Sequence, residues 1–302
     1  MKKLYYLLMI LGILSFTACS EDDSSDGGGS NVTPSLTISE IEEEEEYKEV
    51  YSYSNDKLVS IGYYYFDNAY VLEEEISFEY DNENRISKIT SNDEEEEMIT
   101  ILTVSYDGDK IKDVTMEIET QSITAEVFEE KKRKNFLMTH LKPIPSNYRV
   151  AESVLTGTAT FVYSGNLITK MTFTPSEDFA EFIDPIEQVL SYDGDENLKK
   201  VVITDEESTS SLEMTYDTKV SPYLVFGSYN NRFLAGMVAG ESSASFYMSK
   251  HNVTSINTKY EETGYSEEFN TTFEYSFNEE ELPVQLSWSD DADDTGTVVI
   301  RY

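Results

Sequence analysis

Tyr106-Asp-Gly-Asp-Lys-Ile-Lys-Asp-Val114 decides the fold, because its pattern of an aromatic residue, a polar turn and an apolar alternation recurs along the chain. Gly, Asn and Asp tolerate positive φ, so turns rich in them favour tight hairpins. Each copy therefore predicts two strands joined by a hairpin. The other copies are Tyr53 to Ile61, Tyr80 to Ile89, Tyr163 to Met171 and Tyr192 to Val201.

Successive copies start 26 to 29 residues apart, except for one gap of 57 residues that equals about two units. Between the turns, apolar residues alternate with polar ones, which is typical of half-buried strands. The predicted buried faces comprise three sets: Leu72, Ile76, Phe78 and Tyr80; Val114, Met116 and Ile118; and Phe269, Phe273, Tyr275 and Phe277.

These patterns predict an all-β fold over residues 41–302, a single domain built as a long antiparallel up-and-down meander of more than a dozen strands. A sheet of that size curls, so we expect a barrel or a wrapped sheet. One or two short helical insertions are expected. Ser176 to Ile183 begins with an N-cap residue, and the basic cluster Glu129 to Lys134 with Asn135 to Leu141 fits a helix or a long loop.

The N-terminus has the features of an export signal. Lys2 and Lys3 precede an apolar run from Leu4 to Phe16, and residues 1–18 therefore predict a secretory signal peptide. Cys19, the only cysteine, stands at the expected cleavage point, which resembles the lipobox of bacterial lipoproteins. The resemblance implies that Cys19 carries the lipid; the alternative is an ordinary signal with an incidental cysteine.

Residues 19–40 form an acidic, glycine-rich linker that has too few apolar residues to fold. The acids Glu21, Asp22 and Asp23 after Cys19 also resemble the export signal of Bacteroidetes surface lipoproteins. That resemblance implies an outer-membrane protein, anchored by lipid and facing the cell exterior. The alternative is a linker without a sorting role.

The formal net charge of −37 becomes −39 when Lys2 and Lys3 are removed with the signal peptide. Such a charge repels nucleic acid and anionic membrane surfaces, so we expect neither as a partner apart from membrane attachment through lipid. One cysteine allows no internal disulfide. We expect a monomer without cofactor or metal.

Candidate chemistry is sparse. His140 and His251 are the only histidines, no Gly-x-Ser-x-Gly motif is present, and Cys19 is assigned to lipid. Asp291 to Gly296 begins like a calcium loop, but Tyr302 stands where a bidentate Glu is required, which favours a hairpin turn. The aromatic residues Tyr63 to Phe66 and Trp288 are candidates for stacking on a sugar, although core packing explains them better.

Three motifs suggest a family: Tyr216-Asp-Thr-Lys-Val-Ser-Pro222, Lys250-His-Asn-Val-Thr-Ser255 and Phe277 to Leu286. Over residues 40–302 the chain resembles an uncharacterised family of Bacteroidetes lipoproteins with a porin-like fold. Glu281 departs from that family, which usually has Gly at this turn. The hairpins alone also resemble tyrosine-aspartate repeat proteins, whose period is shorter. Neither resemblance supplies a catalytic residue.

Two functions remain open. The first is a non-enzymatic binding or scaffold lipoprotein, whose ligand is a glycan or an envelope protein. The second is a hydrolase of surface polysaccharide that uses an Asp/Glu pair which the sequence does not locate. We also expect the barrel to be water-soluble, with its aromatic face inside, because its polar face is too acidic to line a narrow lumen.

Overall fold

The computed structural model describes residues 38–43, 46–94, 98–124, 149–181, 183–205, 208–238, 241–262, 264–279, 281–292 and 294–302. They form sixteen strands: β1 Glu40–Glu43, β2 Tyr47–Ser54, β3 Lys57–Phe66, β4 Tyr70–Tyr80, β5 Ile86–Asp93, β6 Met98–Asp107, β7 Lys110–Thr124, β8 Arg149–Ser164, β9 Leu167–Pro175, β10 Ile186–Tyr192, β11 Leu198–Thr204, β12 Ser208–Val220, β13 His251–Glu262, β14 Tyr265–Phe277, β15 Pro283–Asp290 and β16 Thr295–Arg301. No helix within these ranges is long and apolar enough to cross a membrane.

Each strand pairs antiparallel with the next, and β1 pairs with β16 to close a barrel. At the closure Glu40 lies opposite Arg301 and Glu42 opposite Val299. The backbone N–H of Ser39 donates to the carbonyl of Arg301 at 3.0 Å. The predicted all-β meander is therefore confirmed. Of the two forms expected for it, a barrel or a wrapped sheet, the structure has the barrel.

The inner face of the barrel is apolar and the outer face is polar. Val114, Met116 and Ile118 of β7 are buried in one continuous core, as the alternation predicted. Outside, cross-strand ion pairs join Lys170 to Glu187 and Lys200 to Glu213, each at 2.5 Å. Exposed large apolar side chains in the described ranges are scattered over the barrel: Phe66, Val71, Val154, Val162, Val189, Tyr265, Phe277, Val299 and Tyr302.

A ring of tyrosines encircles one end of the barrel, and we call it the tyrosine rim. Each tyrosine lies at or near the end of an even-numbered strand, and its hydroxyl bonds to the backbone at or near the start of the preceding odd-numbered strand. Six of these bonds measure 2.5 to 3.2 Å: Tyr80 to Leu58, Tyr106 to Ile86, Tyr163 to Ile111, Tyr192 to Ile168, Tyr216 to Leu198 and Tyr275 to Val253. Tyr302 donates to Pro283 in the same way, and Tyr53 interacts with the backbone of Ile38.

The aspartate that follows a rim tyrosine shapes the turn. Oδ1 of Asp81 accepts the backbone N–H groups of Glu83 and Arg85 at 2.8 and 3.0 Å. Asp193 accepts those of Asp195 and Asn197 in the same way, both at 2.9 Å. A side-chain carboxylate thus satisfies donors that the turn leaves without strand partners, which explains the recurrent Tyr-Asp pair.

Glu281 keeps the backbone conformation that glycine would favour at the β14–β15 turn. Its φ is 62°, in the left-handed region, which costs a non-glycine residue about 1–2 kcal/mol. Oδ1 of Asn278 accepts the N–H of Leu282 at 2.9 Å and holds the turn. The turn is therefore preserved despite the missing glycine.

Residues 222–238 and 241–248, here together called the plug, follow β12 and precede β13 in the chain and lie inside the barrel. They form a 3₁₀ helix over Pro222–Phe226 and two α-helices, α1 Tyr229–Val238 and α2 Glu241–Met248. Their rings pack on strands around the wall: Phe226 on Phe78, Phe233 on Phe161, and Phe246 on Phe273, with ring centroids 5.2 to 5.8 Å apart. The alternation analysis did not predict these helices.

The predicted insertion after Ser176 is confirmed as a 3₁₀ helix over Phe179–Glu181. The hydroxyl of Ser176 accepts the N–H of Phe179 at 3.4 Å, so Ser176 caps it as expected. The basic cluster Glu129 to Lys134, with Asn135 to Leu141, lies outside the described residues.

Two predicted buried positions are wrong because β-bulges shift the register. Between β3 and β4 the pairing passes from Tyr63–Glu74 to Tyr64–Leu72, which moves Leu72 to the outer face beside Tyr64. In β14 a shift between Ser276 and Phe277 leaves Phe277 36% exposed. A bulge adds one residue to one strand and reverses the faces beyond it.

Candidate functional site: carboxylates inside the barrel

Three carboxylates and a tyrosine form one cross-strand row on the inner wall. Glu49 of β2 lies opposite Tyr63 of β3, Tyr63 opposite Glu74 of β4, and Glu74 opposite Asp93 of β5. Residues opposite each other on neighbouring strands have Cβ atoms about 4.5–5.5 Å apart, so their side chains interact. The row brings acidic groups together in a largely apolar interior, and it is the candidate site.

Glu49 is completely buried, at 0% exposure. The hydroxyl of Tyr47 donates to one carboxylate oxygen at 2.8 Å, and Tyr51 donates to the other. Burial raises the pKa of Glu49 to about 7, although the two tyrosine hydrogen bonds oppose the rise. A buried carboxyl without a cationic partner favours its neutral form for this reason.

Glu74 and Asp93 form an adjacent pair of carboxylates. The hydroxyl of Ser91, the inward neighbour of Asp93 on β5, donates to Glu74 at 2.5 Å. Asp93 is 2% exposed, whereas Glu74 is partly exposed. Two carboxylates are the groups that glycoside hydrolysis requires, but the burial of Asp93 limits contact with a substrate.

The plug carries polar groups that fix it to the wall. Oδ1 of Asn231 accepts the N–H of Ile86 at 3.0 Å, and its Nδ2 donates to the carbonyl of Asn84 at 3.3 Å. Nη1 of Arg232 donates to the carbonyl of Ser249 at 2.9 Å. Burial lowers the pKa of Arg232 to about 10. These bonds connect α1 to the β4–β5 hairpin and to the end of the plug.

The structure gives the candidate residues from the sequence mainly structural contacts. Nδ1 of His251 accepts from Nδ2 of Asn197 at 3.0 Å, and its backbone N–H donates to Oδ1 of Asn197 at 3.1 Å. His251 therefore joins β13 to the β10–β11 turn. Cys19 and His140 lie outside the described residues.

The aromatic candidates divide between the two faces as expected for core packing. Tyr63 is buried and Tyr65 packs on the core, while Phe66 is 38% exposed. Trp288 is buried, and its ring lies over Gly296, where a Cβ would stand 2.4 Å from Nε1. Trp288 is thus unavailable as a stacking platform for sugars.

The stretch that begins like a calcium loop is a hairpin turn. β15 ends at Asp290 and β16 begins at Thr295, and Oδ1 of Asp290 accepts the N–H groups of Ala292 and Asp294. Among the described residues, no group of three or more His, Cys, Asp or Glu side chains is arranged to hold a metal ion.

Sequence reasoning missed the inner carboxylates, although the signal was present. Alternation from Tyr47 through Tyr51 places Glu49 on the same face as both tyrosines. Continuing the alternation back from Ile76 likewise places Glu74 inside. The observation that identifies this site is therefore a charged residue at a position where the alternation predicts an apolar one.

Comparisons with known proteins give distant structural likenesses. A porin-like protein from Bacteroides vulgatus has 14% identity and a TM-score of 0.48, over 88% of this chain and 98% of its own. A porin-like protein from Bacteroides uniformis has 13% identity and a TM-score of 0.47, over 87% and 96%. No protein-family profile matches the chain, and no curated protein matches it in sequence.

Proposed function

We propose that the protein is a lipid-anchored lipoprotein on the outer face of the outer membrane, and that it acts as a non-enzymatic binding or scaffold module. The observation that carries the proposal is the packed lumen. Phe226, Phe233 and Phe246 of the plug contact β4, β8 and β14, so apolar side chains occupy the interior. A barrel filled in this way offers its outer surface and its loops to partners.

The distribution of charge favours a water-soluble barrel over a spanning one. A membrane-spanning barrel has an outward apolar band roughly 25 Å tall. Here the outer wall carries ion pairs such as Lys170–Glu187, while the inner wall is apolar. The described part of the chain begins at Ile38, which lies beside Tyr53 of the tyrosine rim, so a lipid on Cys19 would hold the barrel from that end. The opposite end of the barrel would then point away from the membrane.

Replacing the predicted lipid acceptor, Cys19→Ser, should move the protein from the membrane fraction to the soluble fraction or leave it unprocessed. The reason is that no other residue near the signal peptide supplies a thiol for acylation. Fractionation and intact mass measure the outcome.

A second variant tests the display on the cell surface. Replacing Glu21, Asp22 and Asp23 by Ala should leave the lipid in place but make the protein resistant to protease added to whole cells.

Unchanged fractionation and mass in Cys19→Ser would overturn the anchor. Equal digestion of the wild type and the triple variant would mean that the acids act only as a linker.

A polysaccharide hydrolase is the second candidate, since Glu74 and Asp93 are adjacent. The wild-type protein is applied to a glycan array and, with the same polysaccharides, to a reducing-sugar assay. Because the protein is proposed to be non-enzymatic, we expect no sugar release from any polysaccharide, whether or not the array shows binding. Release that is lost in Glu74→Gln but kept in the outer-wall control Glu187→Gln would instead establish the hydrolase.

A further inference from the structure

Glu49 lies at the contact between the barrel wall and the plug. Around it are Tyr47 and Tyr51 of its own strand, Tyr63 of β3 and Tyr247 of α2. Tyr223 of the 3₁₀ helix lies close to Tyr51 and Tyr63. The rings of Tyr223 and Tyr247 have centroids 4.0 Å apart. Burial first, and then the nearby Tyr63 and Glu49, raise the pKa of Tyr247. The plug therefore meets the wall at a carboxyl group.

The groups around Glu49 are neutral tyrosines, apolar residues and two further acids; one is the partly buried Glu43 of β1, opposite Tyr47, whose pKa burial raises to about 6. Ile41 of β1 lies opposite it on one side and Tyr63 on the other. Glu74, on the far side of Tyr63, is a further acid. In the described part of the chain, no lysine or arginine forms an ion pair with Glu49, so no cation offsets its charge.

We propose that the seating of the plug depends on a proton on Glu49, and that ionisation of this carboxyl loosens the plug from the wall. The two hydroxyl donors hold the carboxyl in place, but a negative charge enclosed by aromatic rings is poorly solvated. Opening the contact admits water to the charge. The barrel wall, which depends on strand pairing, stays folded while the plug loosens.

The direction of the pH dependence follows from linkage. The folded pKa of Glu49, about 7, is above its ordinary value, so the folded state retains a proton that the opened state loses. The stabilisation by Glu49 is therefore fully present below its ordinary pKa and is lost as the pH rises through about 7. From pH 5.5 to pH 8.5 the opening equilibrium should rise about thirtyfold.

Hydrogen exchange of the full-length protein at pH 5.5 and 8.5, corrected for the intrinsic pH dependence of exchange, tests the proposal. Amides of α2, the helix that carries Tyr247, should lose about thirtyfold in protection at the higher pH, while amides of the wall strands β9 and β11 keep theirs. Glu49→Gln, a neutral side chain of similar shape, should abolish the difference. The control Glu187→Gln changes an exposed outer carboxylate and should behave as the wild type.

Equal protection of α2 at both pH values, or the same loss in Glu49→Gln, would overturn the proposal. So would a uniform loss over plug and wall, since that would mean global destabilisation. If Glu49→Gln does not fold, the carbon-13 shift of the Glu49 carboxyl in the wild type decides. The proposal is supported if the carboxyl titrates over the pH range in which α2 loses protection, and it is refuted if the carboxyl titrates near the ordinary pKa of glutamate.

Discussion

Phe233→Ala should lower the free energy of unfolding by about 3–5 kcal/mol, because it removes a large ring from the packed lumen. Phe233 is buried in α1, with its ring perpendicular to that of Phe161 at a centroid distance of 5.5 Å. It also packs against Tyr229 at 6.4 Å. Chemical denaturation of wild type and variant measures the difference.

The matched control is Val162→Ala, the neighbour of Phe161 on the outer face, where the side chain is 56% exposed. This change should stay within about 0.5 kcal/mol of the wild type. A loss for Phe233→Ala no larger than that of the control would mean that the plug does not share the core of the barrel.

Gly157→Ala should destabilise the barrel by about 1–3 kcal/mol or more, the usual cost of overpacking a core. A Cβ at Gly157 would stand 2.2 Å from Cζ of Phe173, across the β8–β9 pair. Phe173 is itself fully buried and packs edge-on against Phe179, so its ring has little room to move. Thermal and denaturant unfolding measure the effect.

Gly194→Ala is the control, because a Cβ there meets no atom within 4 Å and its φ is not positive. We expect that variant to unfold like the wild type. The double variant Gly157→Ala with Phe173→Leu should lose less than the sum of the single changes, since the smaller side chain makes room. Additive losses would contradict the proposed clash.

The strands were predictable because local chemistry determines them. Tyr-Asp turns set the ends of the hairpins, and alternation set the faces, as at Val114 and Met116. The predictions that Leu72 and Phe277 are buried were wrong because both lie beyond bulges. A bulge adds one residue and reverses the faces of the strand beyond it, and the amino-acid composition of the strand does not reveal it.

The plug was not predictable from periodicity because α1 is buried on all sides. Eight consecutive residues, from Asn231 to Val238, are buried, so no polar stripe marks a helix. Two of them, Asn231 and Arg232, are polar, and their side chains bond to backbone groups that lie 17 to 147 positions away along the chain. Glu49 was identifiable by register alone, but its tyrosine enclosure depends on residues almost 200 positions away along the chain.

The closure of the barrel between β1 and β16 has a consequence for how the chain folds. Among the described strands, every other pairing joins consecutive strands, and most of these pairs can form over short turns; the long connections are those from β7 to β8 and from β12 to β13. The ion pair of Arg301 with Glu40 spans 261 residues, and such a contact requires the loss of far more chain entropy before it forms. The meander can therefore assemble hairpin by hairpin. Its first and last strands stay open to pairing with other chains until β16, which contains Arg301, pairs with β1.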